Sequence, residues 1–486
     1  MQRSRTLGIS CFVCLALSAI TVAQSWRPLK HQPSFGASLP LLLTDGTVMV
    51  QNDDGYDWWQ LTPDRTGSYV NGTWKQLASL PSGYAPSAFA SAVLPDGGVI
   101  VEGGEYNFSQ LVWTNQGAIY NPRTDEWTVV NPPGGWNILG DAESVVLPDG
   151  TFMVANCCSF PFQAALLDAK TLAWTPTGAG KRDSYDEEGW TLLPDGTVLT
   201  VDTENAANPT QAERYIPESG TWISAGSTVV LLSDPPTAEI GPAVLRPDGT
   251  VFATGANSTG TGLTSVYHPP ANRSDPGYWV PGPDIPNGND MADAPAALLP
   301  NGNVLCDTSP GYGNPPVSFY EYNGTEFISV PAPPNAPFES SESGAMLVLP
   351  TGQILFTDGS ADVEIYTSSG KAERSWAPAI TAVRKNLERG HTYFIAGKQF
   401  NGLSQGAMYG DDVQTATNYP LVRITNSASG HVFYARTHDH STMAVATGDK
   451  KVFTHFDLPA DIETGASTVV VVANGIASDP VSVTVR

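Results

Sequence analysis

Basic residues are scarce. The 486-residue chain sets 24 Lys and Arg against 48 Asp and Glu, a formal net charge of −24. A surface of that sign repels phosphate backbones and anionic lipid, which argues against nucleic acid and membrane surfaces as partners. Cysteine is scarcer still, at five. Cys11 and Cys14 lie near the start, which leaves Cys157, Cys158 and Cys306 with no metal-type spacing. Adjacent Cys157 and Cys158 are compatible with a vicinal disulfide in an oxidising compartment or with two buried thiols. Long apolar runs are absent after Leu7–Val22. That run follows Arg3 and Arg5 and ends in Thr21-Val22-Ala23, so residues 1–23 read as a secretory signal peptide. It is short for a membrane anchor, and no other stretch spans a bilayer. Loss of Arg3 and Arg5 takes the charge from −24 to −26, and the expected product is secreted. No phosphate-binding Gly loop, nucleophile elbow or His-Glu-x-x-His occurs.

What the chain has is one phrase, repeated. Leu192-Leu193-Pro194-Asp195-Gly196-Thr197-Val198-Leu199 is its clearest copy: an apolar run, a turn, and a β-rich run. Asp-Gly or Asn-Gly between such runs signals a tight hairpin, expected here with positive φ at both turn residues. The turn glycines are Gly46, Gly97, Gly150, Gly196, Gly249, Gly302 and Gly352, spaced by subtraction at 51, 53, 46, 53, 53 and 50 residues. A period near 50 with room for four strands per unit predicts a kelch-type β-propeller of seven blades.

Each unit also has a second half. Tyr120 precedes Trp127, Tyr215 precedes Trp222, and Tyr267 precedes Trp279. Trp74, Trp127, Trp174, Trp222, Trp279 and Trp376 are therefore expected to pack between blades. Ser25-Trp26-Arg27 resembles these fourth-strand ends, so the N-terminal strand is expected to complete the last blade and cover an open sheet edge. From about residue 379 the period gives way to short alternating strands with no helical period. The expected fold is thus all-β: a seven-bladed propeller over residues 24–378 and an immunoglobulin-like β-sandwich over residues 379–486.

With those blades and that C-terminal domain, the chain resembles galactose oxidase and glyoxal oxidase, exported copper-radical enzymes. The resemblance covers roughly residues 25–486. It implies a copper site of two Tyr and two His, one Tyr being cross-linked to Cys. The family's Tyr-His pair before the last hairpin aligns with Glu342-Ser343. Its C-terminal His, a few residues after a Tyr-Gly step, aligns with Gln414 after Tyr409-Gly410. Three ligands are replaced, and the expectation is an exported propeller without copper-radical oxidation.

Carboxylates recur upstream of the hairpins instead. Asp141, Glu187 and Asp293 stand nine residues before their turn glycines, Glu239 and Glu342 ten, and Glu188 eight. Strand entries of a propeller surround its channel, so these acids are expected to ring one mouth and to favour Ca²⁺ or a basic ligand. In the C-terminal segment, His438 and His440 would share a strand face and offer imidazoles to Zn²⁺ or Cu²⁺, with Asp411 or Asp412 adding an oxygen. Trp58, Trp59, Trp113 and Trp136 lie outside the periodic set and are candidates for a sugar platform. The functional expectation is a non-oxidase binding module for extracellular glycan or protein. The alternative is a galactose oxidase-like or other carbohydrate-active enzyme using the acidic mouth, where glycoside hydrolysis needs paired carboxylates.

Overall fold

The computed structural model describes residues 24–141, 143–411 and 413–486. The signal-peptide reading of residues 1–23 lies outside the described residues. Among the described residues, six antiparallel meanders of four strands and a seventh of three follow one another along the chain. The first comprises Ala37–Leu42, Val48–Asn52, Trp58–Thr62 and Thr73–Gln76. Its inner strand touches the inner strands of the second blade, Ala90–Val93, and of the seventh, Ala345–Val348. The seventh blade has only three strands of its own. Ser25–Pro28 supplies the fourth, with Trp26 opposite Tyr366 and Arg27 opposite Ile365, so the ring closes between its two ends.

The hairpin glycines all have positive φ, from 77° at Gly46 to 90° at Gly150. The residues before them do not, which corrects the expected turn type. In the first blade Gly46 N–H donates to Leu43 O, and Leu43 N–H donates to Thr47 O. This is a type I turn followed by a left-handed residue, and only that residue needs to be Gly. The Asp has a separate task. Asp45 Oδ1 accepts from the Thr47 backbone N–H at 3.0 Å, and Asp149, Asp195 and Asp248 repeat the bond two residues on.

The periodic Trp residues bind neighbouring blades. Indole Nε1 of Trp74 donates to His31 O, Trp127 to Ala78 O, Trp174 to Asn131 O and Trp279 to Ala225 O, at 2.7–3.0 Å. Trp26 does the same to Pro331 O at 2.6 Å. Trp222 differs, donating to the Tyr185 hydroxyl. Trp376 departs from the expectation. Because residue 26 fills its place in the seventh blade, Trp376 sits in the 3₁₀ turn Arg374–Trp376, against Gly302.

From Ala379 the chain forms a curled mixed sheet about its own core, which includes Ile395, Val422, Phe456, Val471 and Val483. Val432–His438 carries the sheet round. Its first half pairs with Leu421–Asn426 and its last three residues with Val452–Asp457. One short pairing, Asn386–Leu387 with Val481–Val485, is parallel. This sheet caps the hairpin side of the propeller: Thr437, His440 and Met443 donate backbone N–H bonds to Thr44, Pro95 and Pro148. A strap then enters the channel. Ala407–Met408 adds a fifth strand to the inner edge of the sixth blade, opposite Ala296 and Ala297. Gln405 Oε1 accepts from Leu192 N–H at 2.7 Å, and Ser91 Oγ donates to Gln414 O at 3.1 Å. Among the described residues, no helix is long and apolar enough to cross a membrane.

Candidate functional site at the acidic channel mouth

The strand-entry side of the ring opens into a cavity of about 510 Å³. Asp141, Glu187, Glu239, Asp293 and Glu342, five of the six acids singled out in the sequence, line it. Glu187 and Asp293 sit in left-handed backbone, at φ 57° and 47°. Ala88, also nine residues before its turn glycine, adopts the same conformation at φ 50°. The step costs on the order of 1 kcal/mol for an L-residue, so the fold holds these positions against a local preference.

Glu188 points elsewhere. It is fully buried beside Lys181, whose Nζ lies 2.6 Å from Glu188, 3.0 Å from Glu213 and 3.5 Å from Asp202. Burial works against the Lys181 charge, but these three carboxylates more than offset it and hold the ammonium protonated. Glu187 and Glu188 are neighbours that face opposite ways, one to the cavity and one to this ion cluster. The cluster therefore anchors the fourth-blade rim.

The strap adds a carboxylate that the sequence reading set beside the histidines. Asp411 reaches the mouth through the channel, is 4 % exposed, and shares a side-chain hydrogen bond with Glu187. Oxygens of Asp141, Glu187 and Asp411 lie within 4.8 Å of one another, as do those of Glu187, Glu239 and Asp293. Gly410 makes the approach possible, since a Cβ there would come within 2.6 Å of Ile240 O and 2.8 Å of Asp293 Oδ1. Tyr409 O–H donates to Glu342 O at 2.7 Å, fixing the strap to the seventh-blade entry. Asp53, Glu105 and Asp358 complete the lining. Sequence reasoning passed over these three, though a signal existed: by subtraction they fall seven, eight and six residues after their turn glycines, at the exit of the second strand.

No Lys, Arg, His or Cys lines the cavity among the described residues. The acids therefore compensate one another with protons. Burial first, then Asp411, Asp141 and Glu239, drives the Glu187 carboxyl far above its ordinary range. Burial and Asp411 do the same to Asp293, and burial raises Glu239. Burial together with Asp54 and Asp358 raises Asp53 to about 6. Asp186, raised to about 6 chiefly by burial, lies just outside, its Oδ1 3.2 Å from Cys158 Sγ. Cys157 and Cys158 form a disulfide, and Cys306 is a buried thiol.

The histidine reading is corrected. Asp439 breaks the strand at φ 51°, so His438 and His440 do not present one face. His438 lies between Asp439 Oδ2 at 2.7 Å and Asp457 Oδ1 at 3.2 Å. His440 is buried, stacked on Tyr419 and bonded to Thr454 Oγ1 at 2.8 Å; burial lowers its pKa to about 3. Among the described residues, no cluster suited to a metal contains a histidine. Of the non-periodic Trp residues, Trp58 and Trp136 are core, Trp59 stacks on Phe35, and Trp113 is 44 % exposed. A second crevice, about 450 Å³, separates the turns of the third and fourth blades from the C-terminal sheet, where Arg273 pairs with Glu218 and Asp195.

No family model matches the chain. A Kelch-like protein of Aspergillus terreus, terF, is 28% identical over 131 residues, which is 26% of this chain and 26% of that protein. A fungal alcohol oxidase of the AA5 family, solved in complex with copper, aligns at a TM-score of 0.58 and 13% identity, over 96% of this chain and 100% of that one. The fold is a kelch-type propeller. A structure of YjhT covers 62% of this chain at a TM-score of 0.42 and 15% identity. The described residues lining the mouth offer carboxylates and the phenols of Tyr106, Tyr312 and Tyr409, with no imidazole or thiolate. Imidazole and thiolate suit copper, whereas carboxylates suit hard cations. Glu342 and Ser343 do line the cavity, while Gln414 is buried below it, donating Nε2–H to Asp411 O at 3.0 Å.

Proposed function

We propose that the protein is an exported, non-oxidase binding module that takes an extracellular glycan at the acidic mouth of its propeller. One observation carries the reading: a carboxylate-lined cavity of about 510 Å³ bordered by exposed aromatic rings. Tyr312, 47 % exposed, lines it directly. Trp113 lies against Gly140, next to Asp141. Aromatic faces stack on sugar rings while carboxylates accept hydroxyl hydrogen bonds, and a site of this size encloses a short saccharide. Export is supported by the leader pattern of residues 1–23 and by the Cys157–Cys158 disulfide, which suits an oxidising compartment. The absence of oxidase chemistry is supported by Glu342, Ser343 and Gln414 at the aligned ligand positions. The C-terminal curled sheet we read as an immunoglobulin-like unit whose strap shapes the floor of the site.

A glycan array followed by calorimetric titration tests the proposal. Binding that Tyr312→Ala and Trp113→Ala each weaken at least tenfold supports it. Peroxide release from galactose or glyoxal with stoichiometric copper would overturn it, as would no binding to any glycan.

A second reading has its own observation. Glu187, its carboxyl raised by burial and by Asp411, lines the cavity with Asp141, Glu239, Asp293 and Glu342, and glycoside hydrolysis uses a pair of carboxyl groups about 5–9.5 Å apart. Hydrolysis of a bound glycan, lost in Glu187→Gln, would replace binding by turnover. Unchanged hydrolysis in that variant would remove the pair from consideration.

A further inference from the structure

We propose that Asn71, Asn272 and Asn323 carry N-linked oligosaccharides, which cover the hairpin side of the propeller and leave the mouth bare. The inference rests on the export reading and not on any ligand of the mouth. Asn-x-Ser/Thr acceptor triplets, with x other than Pro, occur at Asn71, Asn107, Asn257, Asn272 and Asn323. Their places in the fold divide them. An antiparallel meander puts the turn between its third and fourth strands on the same side as its first hairpin, and its second connection on the other. Asn71 lies between Trp58–Thr62 and Thr73–Gln76, Asn272 between Thr264–His268 and Tyr278–Pro281, and Asn323 between Ser318–Tyr322 and Phe327–Ser329. All three are third-to-fourth turns, on the side of the C-terminal sheet, where Val432 N–H donates to Arg65 O in the first of them. Asn107 and Asn257 lie in second-to-third connections on the mouth side, after Val99–Glu102 and Val251–Thr254.

The side chains divide the same way. Transfer joins Asn Nδ2 to C1 of a lipid-pyrophosphate-linked oligosaccharide. The C1–O bond to pyrophosphate breaks, and the amide gives up one of its two Nδ2 protons. One N–H and the carbonyl oxygen remain. Asn71 and Asn272 are exposed, and each gives one N–H, to Asp64 Oδ2 at 2.9 Å and to Ser274 Oγ at 2.8 Å. Asn323 is half-buried but holds its turn through oxygen: Oδ1 accepts from the backbone N–H groups of Thr325 and Glu326 at 2.9 and 3.0 Å. The mouth-side pair is half-buried and engaged through both atoms. Asn107 Oδ1 accepts from Ala85 N–H at 2.8 Å while Nδ2 donates to Gly83 O at 3.2 Å. Asn257 Oδ1 accepts from Thr259 N–H at 3.1 Å while Nδ2 donates to Thr261 O at 3.1 Å. A Cβ on Gly260 would come within 3.3 Å of that nitrogen, so its own loop wraps it. Linked oligosaccharides are bulky and solubilising, which keeps the decorated side in solvent and makes the mouth the face open to large partners.

Production of the full chain, behind its own residues 1–23, in a eukaryotic secretory host tests this. Peptide N-glycosidase treatment in heavy-oxygen water turns each modified Asn into a labelled Asp, which peptide mass spectrometry reads. The expected result is label at Asn71, Asn272 and Asn323 and none at Asn107 or Asn257. Thr73→Val, Ser274→Ala and Thr325→Val keep the Asn and remove the acceptor hydroxyl. Each should cost the secreted protein one oligosaccharide step in electrophoretic mass. Label at Asn107 or Asn257 would overturn the proposal, as would secreted protein unlabelled at any of the three turns. The two claims separate in the same experiment. Retention of the chain inside the cell overturns the export reading and this proposal with it, whereas secretion without label overturns this proposal alone.

Discussion

Lys181→Met should be among the most damaging single substitutions in the propeller. Methionine keeps the unbranched stem and removes the ammonium, which lies 5.5 Å from the ring centroid of Tyr185 and 5.8 Å from that of Trp222. What remains is Glu188, Asp202 and Glu213, with side chains 0 % exposed in the ion cluster and, among the described residues, no other cation within salt-bridge distance of them. Breaking a buried ion pair by deleting one partner costs about 3–5 kcal/mol, because the other charge stays buried without compensation. Three carboxylates share this one ammonium, so the loss should fall at the upper end of that range at pH 8. It should shrink at pH 5, where protons can substitute for the missing charge. Urea unfolding at both pH values, followed by tryptophan fluorescence, measures it directly. Lys181→Met/Glu188→Gln should recover part of the loss, since it removes one orphaned charge. A loss below about 1 kcal/mol at pH 8, or one equal at pH 5 and pH 8, would refute the reasoning.

The mouth should make stability depend on pH in a defined direction. Asp53 and Asp186 titrate at about 6 in the fold against an ordinary 3.8. A carboxyl raised by folding contributes stability below its unfolded value and loses that contribution as pH rises through the folded one. In EDTA, these two groups should therefore lower the melting temperature between pH 4 and pH 7, and Asp53→Asn/Asp186→Asn should flatten the slope. An unaltered slope in the double variant would count against the assignment. Gly410→Ala should displace the strap, because its new Cβ would meet Ile240 O and Asp293 Oδ1. A destabilisation of about 1–3 kcal/mol is expected from such overpacking, against no effect for Gly134→Ala, where nothing lies within 4 Å. Unfolding curves of the two variants that coincide would sink the steric argument.

The ring was legible because its information is local. Gly196 and its six counterparts supply a left-handed residue at a fixed step in each hairpin, and that need is written as Asp-Gly or Asn-Gly in six of them and as Thr351-Gly352 in the seventh. The paired Asp bond to the backbone two residues on was legible for the same reason, although the turn it caps is of a different type from the one expected. The rim acids Asp141, Glu187 and Asp293 were found by counting from those glycines, since the count preserves position along an inner strand. Glu188 shows the limit of counting. It shares the count with Glu187 within one residue, but its direction is set by Lys181, which no period connects to it. Asp411 was beyond counting altogether. It belongs to a strap whose destination depends on Ala407 pairing with Ala297, more than a hundred residues earlier. Trp376 fell on the pattern but lost its place to Trp26, a substitution visible only once the ends of the ring meet.

That closure has a consequence for how the molecule is made. Trp26 leaves the ribosome early, yet its indole partner Pro331 O is 305 residues further along the chain. Gln32 likewise waits for Val363, 331 residues on. Until the seventh blade is synthesised, the first strand has no seat, and an unzipped inter-blade edge stays open to any passing β-segment. Sequence changes at Ser25–Pro28 should therefore be read out in the yield of folded protein before they are read out in the affinity of the finished product.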